Sequence, residues 1–462
     1  MAGMVVQTAA RKLGKTEANW VAAVDEGTGI TISSILFERR IPVTDLEAAL
    51  RDVLALHPRL RSTIEQAHNE FFFQTPETVS VSLSEIVWSA QGEEEGDEDN
   101  RAQQLWHGIT EDELNIPYQK CPVPVFEPKL YLLPESQSLL VLRLHAAAAD
   151  MASTPIIIKQ VVSSLYKRSG TEKESAEGVE DNLEKLKLSE PQEVLLPCIE
   201  DAIPSGQAKK PFWAHGVDVV GYGLVSRRHA YLPFDNPEGL RQSKLLRAGL
   251  TAEATDLLLK ECEKRSVSIH GAINAAALKT VTAYKRVGPR GEHYGTTVLL
   301  QCRNRLHPVL PDSTVGFYHA ALMRTIHTTE PESFWDLATR CSEDFDTAIK
   351  NRKHFTDMGD LNALMVQAMR FPNLTPSGSL RTSVLSTMFT PVVEDLGEEA
   401  AAVGVKDYLS CSSTHGVGPC LALFPFMRES ALQFSFVFSS PLYSRTLMQS
   451  LVDSIIFYLT EK

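Results

Sequence analysis

The chain has 462 residues, 43% of them hydrophobic and 22% charged, a length that calls for two hydrophobic cores rather than one. Its 45 Lys and Arg against 58 Asp and Glu leave a net charge of −13, which excludes binding nucleic acid or an anionic membrane through bulk charge. No apolar run approaches the roughly 18 residues of a bilayer-spanning helix, and the seven cysteines are odd in number and lack a CxxC pair, against a disulfide framework or a zinc site.

The opening segment MAGMVVQTAARKLGK lacks the apolar core of a signal peptide. It is basic and free of acids, which suits a surface tail or an organellar transit segment. The expected compartment is the reducing cytoplasm. Leu46, Ala49, Leu50, Val53 and Leu54 recur at helical spacing and predict a helix within Pro42–Thr63, with Thr44 and Glu47 as a capping box. Glu70–Gln74 and Val79–Leu83 read as short strands. Gly92–Asn100 (GEEEGDEDN) reads as a solvated acidic loop. Lys129–Leu144 holds two strand-like runs, and Pro155–Tyr166 reads as a buried helix.

From Ser169 to Lys210 the chain turns Glu-, Lys- and Ser-rich and then Pro-rich, as a crossover between lobes would. Beyond it, Thr251–Lys285 predicts two helices broken around Ser266–His270. Thr296–Cys302 predicts a strand and Asn304–Thr314 a loop. Ser333–Lys350 is amphipathic, Ala431–Phe438 alternates as a strand, and Ser444–Leu459 closes as a helix. No short repeat is present. The fold class this predicts is α/β or α+β, with mixed sheets and flanking helices.

The chemistry concentrates in Leu142–Ser153, LRLHAAAADMAS, where a strand runs into His145, four alanines and Asp150. By themselves these letters describe a strand-end histidine, a tight small-residue turn and an N-cap aspartate. Far downstream stands Arg303–Pro311, RNRLHPVLP. Leu54–Arg61 (LALHPRLR), Thr414–Pro419 (THGVGP) and Phe434–Arg445 (FSFVFSSPLYSR) complete the set. No GxSxG elbow, Walker A loop, GxGxxG fingerprint or HExxH pair occurs.

In this order the segments resemble the CoA-dependent acyltransferase superfamily: the plant-type BAHD acyltransferases and peptide-synthetase condensation domains. HAAAAD is similar to their HHxxxD. RNRLHPVLP is similar to RxRLxPxLP, and THGVGP stands where BAHD enzymes carry DFGWG, keeping Gly416 and Gly418. The resemblance implies two chloramphenicol-acetyltransferase-like lobes with a channel between them, here 1–190 and 216–462 joined by a 191–215 linker. It implies transfer of an acyl group from a thioester to a hydroxyl or amine. The donor would be acyl-CoA or a carrier-bound phosphopantetheine, with no permanently bound cofactor or metal. A monomer acting on small molecules, without nucleic acid or membrane partners, is expected.

The resemblance also assigns roles. His145 is the structural first histidine. Asp150 is a loop-locking acid paired with Arg303 or Arg305. Gly316, Gly416 and Gly418 fall on the channel's donor side. The general base falls on Ala146, and Met151 replaces the glycine after the aspartate. Alanine there is what an engineered inactivation or a natural loss would leave. Loss of a base costs about 10²–10⁴-fold in rate, so the chain is either an impaired acyltransferase or a non-catalytic binder of a thioester or small hydrophobic metabolite. His270 reads as a capping or packing residue. His307 and His319, flanking the arginine loop, are weaker site candidates, His415 reads as a loop residue in the THGVGP segment, and Cys302 as a core strand residue.

Overall fold

The computed structural model describes residues 8–87, 98–169, 196–211, 229–370, 383–386 and 397–461. The first part of the chain forms β1 (Thr8–Lys12), α1 (Lys15–Asp25), β2 (Thr28–Phe37), α2 (Val43–Leu56), β3 (Thr63–Ala67), β4 (Glu70–Pro76), β5 (Ser84–Val87), α3 (Glu98–Asn115), β6 (Val123–Pro124), β7 (Phe126–Leu132), β8 (Ser138–His145) and α4 (Ser153–Arg168). The second forms α5 (Ile199–Ala202), β9 (Gln242–Gly249), α6 (Ala252–Arg265), α7 (Ile269–Lys285), β10 (Glu292–Gln301), β11 (His319–Thr328), α8 (Phe334–Lys350) and α9 (Lys353–Thr356). It ends with α10 (Met358–Arg370), β12 (Ser383–Ser386), α11 (Gly397–Val403), β13 (Val405–Thr414), β14 (Leu421–Arg428), β15 (Ala431–Ser440) and α12 (Arg445–Thr460).

Two large sheets organise these elements into two α/β lobes. One runs β13-β2-β8-β7-β5 and the other β11-β10-β12-β14-β15-β9, while a small sheet, β1-β4-β3-β6, flanks the first. β13 comes late in the chain yet pairs antiparallel with β2, Tyr408 opposite Ile35. The second half of the chain thus contributes a strand to the first sheet. β8, SLLVLRLH, is buried along its whole length. Its side chains alternate between two cores, as a strand's must. Leu140, Leu142 and Leu144 join Val53 of α2 and Ile157 and Val161 of α4. Leu139 and Val141 face a second core with Ala422, Phe424 and Val437 of the other sheet. The lobes meet there, which accounts for the unbroken apolar run.

Several expectations change in detail. α2 starts after Pro42, whose carbonyl accepts from the N–H groups of Asp45 and Leu46, so Thr44 lies inside the first turn and no capping box forms. Glu47 accepts from Leu83 N–H at 3.3 Å instead. That bond and the burial of Leu83 in the first core hold Val79–Leu83 out of any ladder, and the strand is Ser84–Val87, paired with β7. The end of the acidic run, Glu98–Asn100, opens α3 rather than a loop; its earlier part lies outside the described residues, as do 191–195 and 212–215 of the expected linker, whose described middle holds α5. Ser268, Ser333 and Ser444 cap α7, α8 and α12, each accepting a main-chain N–H. Among the described residues no helix is long and apolar enough to cross a membrane.

Candidate active site

β8 delivers His145 to the end of the strand, and the four alanines then fold into a tight turn. The N–H groups of Ala148 and Ala149 donate to the His145 carbonyl at 2.9 and 3.2 Å. Ala147, Ala148 and Ala149 are buried in the first core. His145 Nδ1 accepts the Ala147 N–H at 3.1 Å, and its ring lies 5.2 Å from that of Tyr118. Burial pushes its pKa down to about 3, so the imidazole is neutral at neutral pH.

The other end of the turn is tied on every side. Both Asp150 carboxylate oxygens accept from the Arg303 guanidinium, at 2.9 and 3.0 Å, with neither side chain exposed. Oδ1 also accepts from Ser153 N–H and Oγ–H, and Oδ2 from Tyr318 N–H. The Asp150 N–H donates to the Gly316 carbonyl, and Arg303 Nε to the Thr314 carbonyl. Burial alone would raise the Asp150 carboxyl. The Arg303 charge and these hydrogen bonds outweigh it and hold the group below its usual range. The clamp stitches the first lobe's turn to the second lobe's RNRLHPVLP and Gly316 segments. Arg305, the alternative partner, is exposed two residues away, so the pairing falls to Arg303 alone.

Beside the clamp lies a cavity of about 210 Å³ with walls from both lobes. Trp20 of α1, Gly29 of β2, Ala146, Met151, His319 of β11 and Met365 of α10 are among its lining residues. This is smaller than the roughly 300–1,000 Å³ of drug-sized sites. Ala146 presents a methyl group to it, while His145 does not reach it. Asp150 borders it with its charge already answered by Arg303.

The remaining candidates scatter. Gly418 lines the cavity; Gly416 packs behind it, where an added Cβ would sit 2.0 Å from the Glu26 carbonyl oxygen. Gly316 belongs to the clamp, and an added Cβ would strike the Tyr318 ring at 2.5 Å. His415 bonds Ser243 Oγ at 3.0 Å, and His307 is exposed. Burial pushes the Cys302 thiol up to about 12 and lowers His270, which sits in the first turn of α7. Sequence reasoning missed Ser153, Trp20 and the α10 wall. Ser153 had a local signal, standing three residues after Asp150; the others come from segments that carry no motif.

No protein-family model and no curated protein matches the chain. Solved structures do. The trichothecene 15-O-acetyltransferase TRI3 from Fusarium sporotrichioides is 11% identical, over 98% of this chain and 95% of its own, with a TM-score of 0.70. The EpoB NRPS cyclization-docking bidomain from Sorangium cellulosum is 18% identical over 98% and 85%, TM-score 0.68. The first condensation domain of the calcium-dependent antibiotic synthetase, in complex with a substrate analogue, is 16% identical over 98% and 96%, TM-score 0.66. The chain has the two-lobed fold that these condensation-type domains and this O-acetyltransferase share.

Proposed function

We propose that the central cavity is an acyl-transfer site whose general-base position is filled by Ala146. The chain holds a thioester donor, acyl-CoA or carrier-bound phosphopantetheine, beside a small hydroxyl or amine acceptor, and transfers the acyl group slowly or not at all. One observation carries this reading: the Asp150–Arg303 clamp fixes the HAAAAD turn at the cavity edge, with position 146 on its wall.

The reaction explains what is missing. As the acceptor oxygen or nitrogen attacks the thioester carbonyl carbon, its proton must leave; the C–S bond then breaks and the thiol takes the proton. Ala146 cannot accept that proton, and His145 faces away with Nδ1 already engaged. Holding the two reactants together still lowers the barrier.

The test is Ala146→His, assayed with acyl-CoA and carrier-bound donors against a panel of alcohols and amines. A gain of about 10²–10⁴-fold in transfer is expected. No gain with any donor overturns the reading. It leaves the second, favoured by the apolar wall around Ala146 and Met151: a non-catalytic binder of a small hydrophobic metabolite.

A further inference from the structure

His319 opens β11 in the cavity wall, its ring centroid 4.4 Å from that of Phe317 and 6.1 Å from that of Trp20. Nδ1 is sealed from solvent and has no hydrogen-bond partner, while the residue keeps 6% exposure and lines the cavity, which leaves Nε2 as the ring nitrogen able to reach a ligand. A sealed lone pair costs less than a sealed N–H without an acceptor, which places the proton on Nε2. Burial pushes the ring's pKa down to about 4, so at neutral pH it offers an N–H rather than a charge. The rest of the wall suits a neutral, flexible chain. Met151, Met323, Met358 and Met365 are among the described residues that line it. Among the described lining residues Asp150 alone carries a charge, and Arg303 pairs with it.

We propose that the Nε2–H of His319 is the hydrogen-bond donor for the carbonyl oxygen of an aliphatic acyl thioester seated in this cavity. The assignment rests on reading the cavity as an acyl site. It makes His319 a ligand-binding electrophile, not a substitute base. A donor aimed at the acyl oxygen also serves the negative charge that develops there when an acceptor attacks.

The experiment compares two probes on the full chain by calorimetry: octanoyl-N-acetylcysteamine thioester and the matching octyl thioether, which lacks the carbonyl. The wild type is expected to bind the thioester roughly two- to tenfold more tightly, the worth of one hydrogen bond. His319→Phe should abolish that preference while keeping thioether affinity within about twofold. His319→Gln, which keeps a side-chain N–H, should restore part of it and guards against misfolding of the Phe variant. A preference that survives in His319→Phe overturns the assignment, as does a wild type that binds neither probe or both equally. Because only binding is read, the outcome separates from that of Ala146→His. Thioester preference without restored turnover leaves His319 standing, and turnover without a His319-dependent preference removes it alone.

Discussion

The two ends of the HAAAAD turn are built on opposite terms. At Asp150 every carboxylate oxygen is answered, by a guanidinium, a hydroxyl or main-chain N–H groups. At Ala146, four residues earlier, the side chain offers a methyl group to a cavity. The difference teaches that the two ends are separable: a loop can be held in register by partners across the lobe boundary while its other end presents only a methyl group to the cavity.

The comparison breaks most readily at the clamp. Arg303→Met leaves Asp150 buried and charged with no counter-ion, and is expected to cost about 3–5 kcal/mol of stability in denaturant unfolding. The double variant Asp150→Leu, Arg303→Met should recover much of that loss, because two apolar side chains replace the pair. A single-variant cost below about 1 kcal/mol would mean the clamp is not what holds the turn.

Acid sharpens the contrast next. His145 and His319 sit at about 3 and about 4. Their unfolded values are near 6.5. Between these limits the unfolded chain takes up protons that the folded one refuses. Their stabilising contribution is therefore full above about pH 6.5 and is lost as pH falls, by about 1 kcal/mol per unit for each histidine. Asp150 is depressed, so its share is lost only as pH falls below its unfolded value near 4. Urea midpoints should decline between pH 6.5 and 5, and His145→Gln or His319→Gln should flatten the decline. A midpoint level across that range would contradict the burial of both rings.

An Asp150–arginine pair was expected from the resemblance, because both partners lie in motif-bearing segments, HAAAAD and RNRLHPVLP. The choice of Arg303 over Arg305 was not, since it depends on which face of a one-turn helix points inward. β8 was readable as a strand but its burial between two cores was not, because that requires the second sheet. The entry of β13 into the first sheet left no local trace, and neither did the α10 wall or Trp20. Helical spacing exposes an apolar face without saying what it covers. His319 drew notice only for its neighbourhood to the arginine loop; its sealed Nδ1 is a tertiary fact.

Gly29 gives a smaller effect on the cavity side. Its φ is +98°, and an added Cβ would lie 2.9 Å from the Trp20 ring and 3.0 Å from Ala146 Cβ. Gly29→Ala is expected to cost about 1–3 kcal/mol through backbone strain and crowding. It should also shift the emission of Trp20, with Trp20→Phe as the control that assigns the signal. An unshifted spectrum would place Trp20 away from the wall.

The smallest stability effect belongs to the position with the largest expected effect on rate. Ala146 is 6% exposed, borders open volume, and donates its own N–H to the Gly29 carbonyl at 3.1 Å whatever its side chain. An imidazole added there can enter the cavity rather than the core, so Ala146→His should change unfolding free energy by less than about 1 kcal/mol. The same substitution at Ala148, 0% exposed in the first core, is the contrast. It overpacks a closed space and buries a polar ring, and should cost at least about 1–3 kcal/mol. If the two variants lose stability equally, position 146 faces packed protein, and the contrast between the two ends of the turn fails at the residue on which it depends.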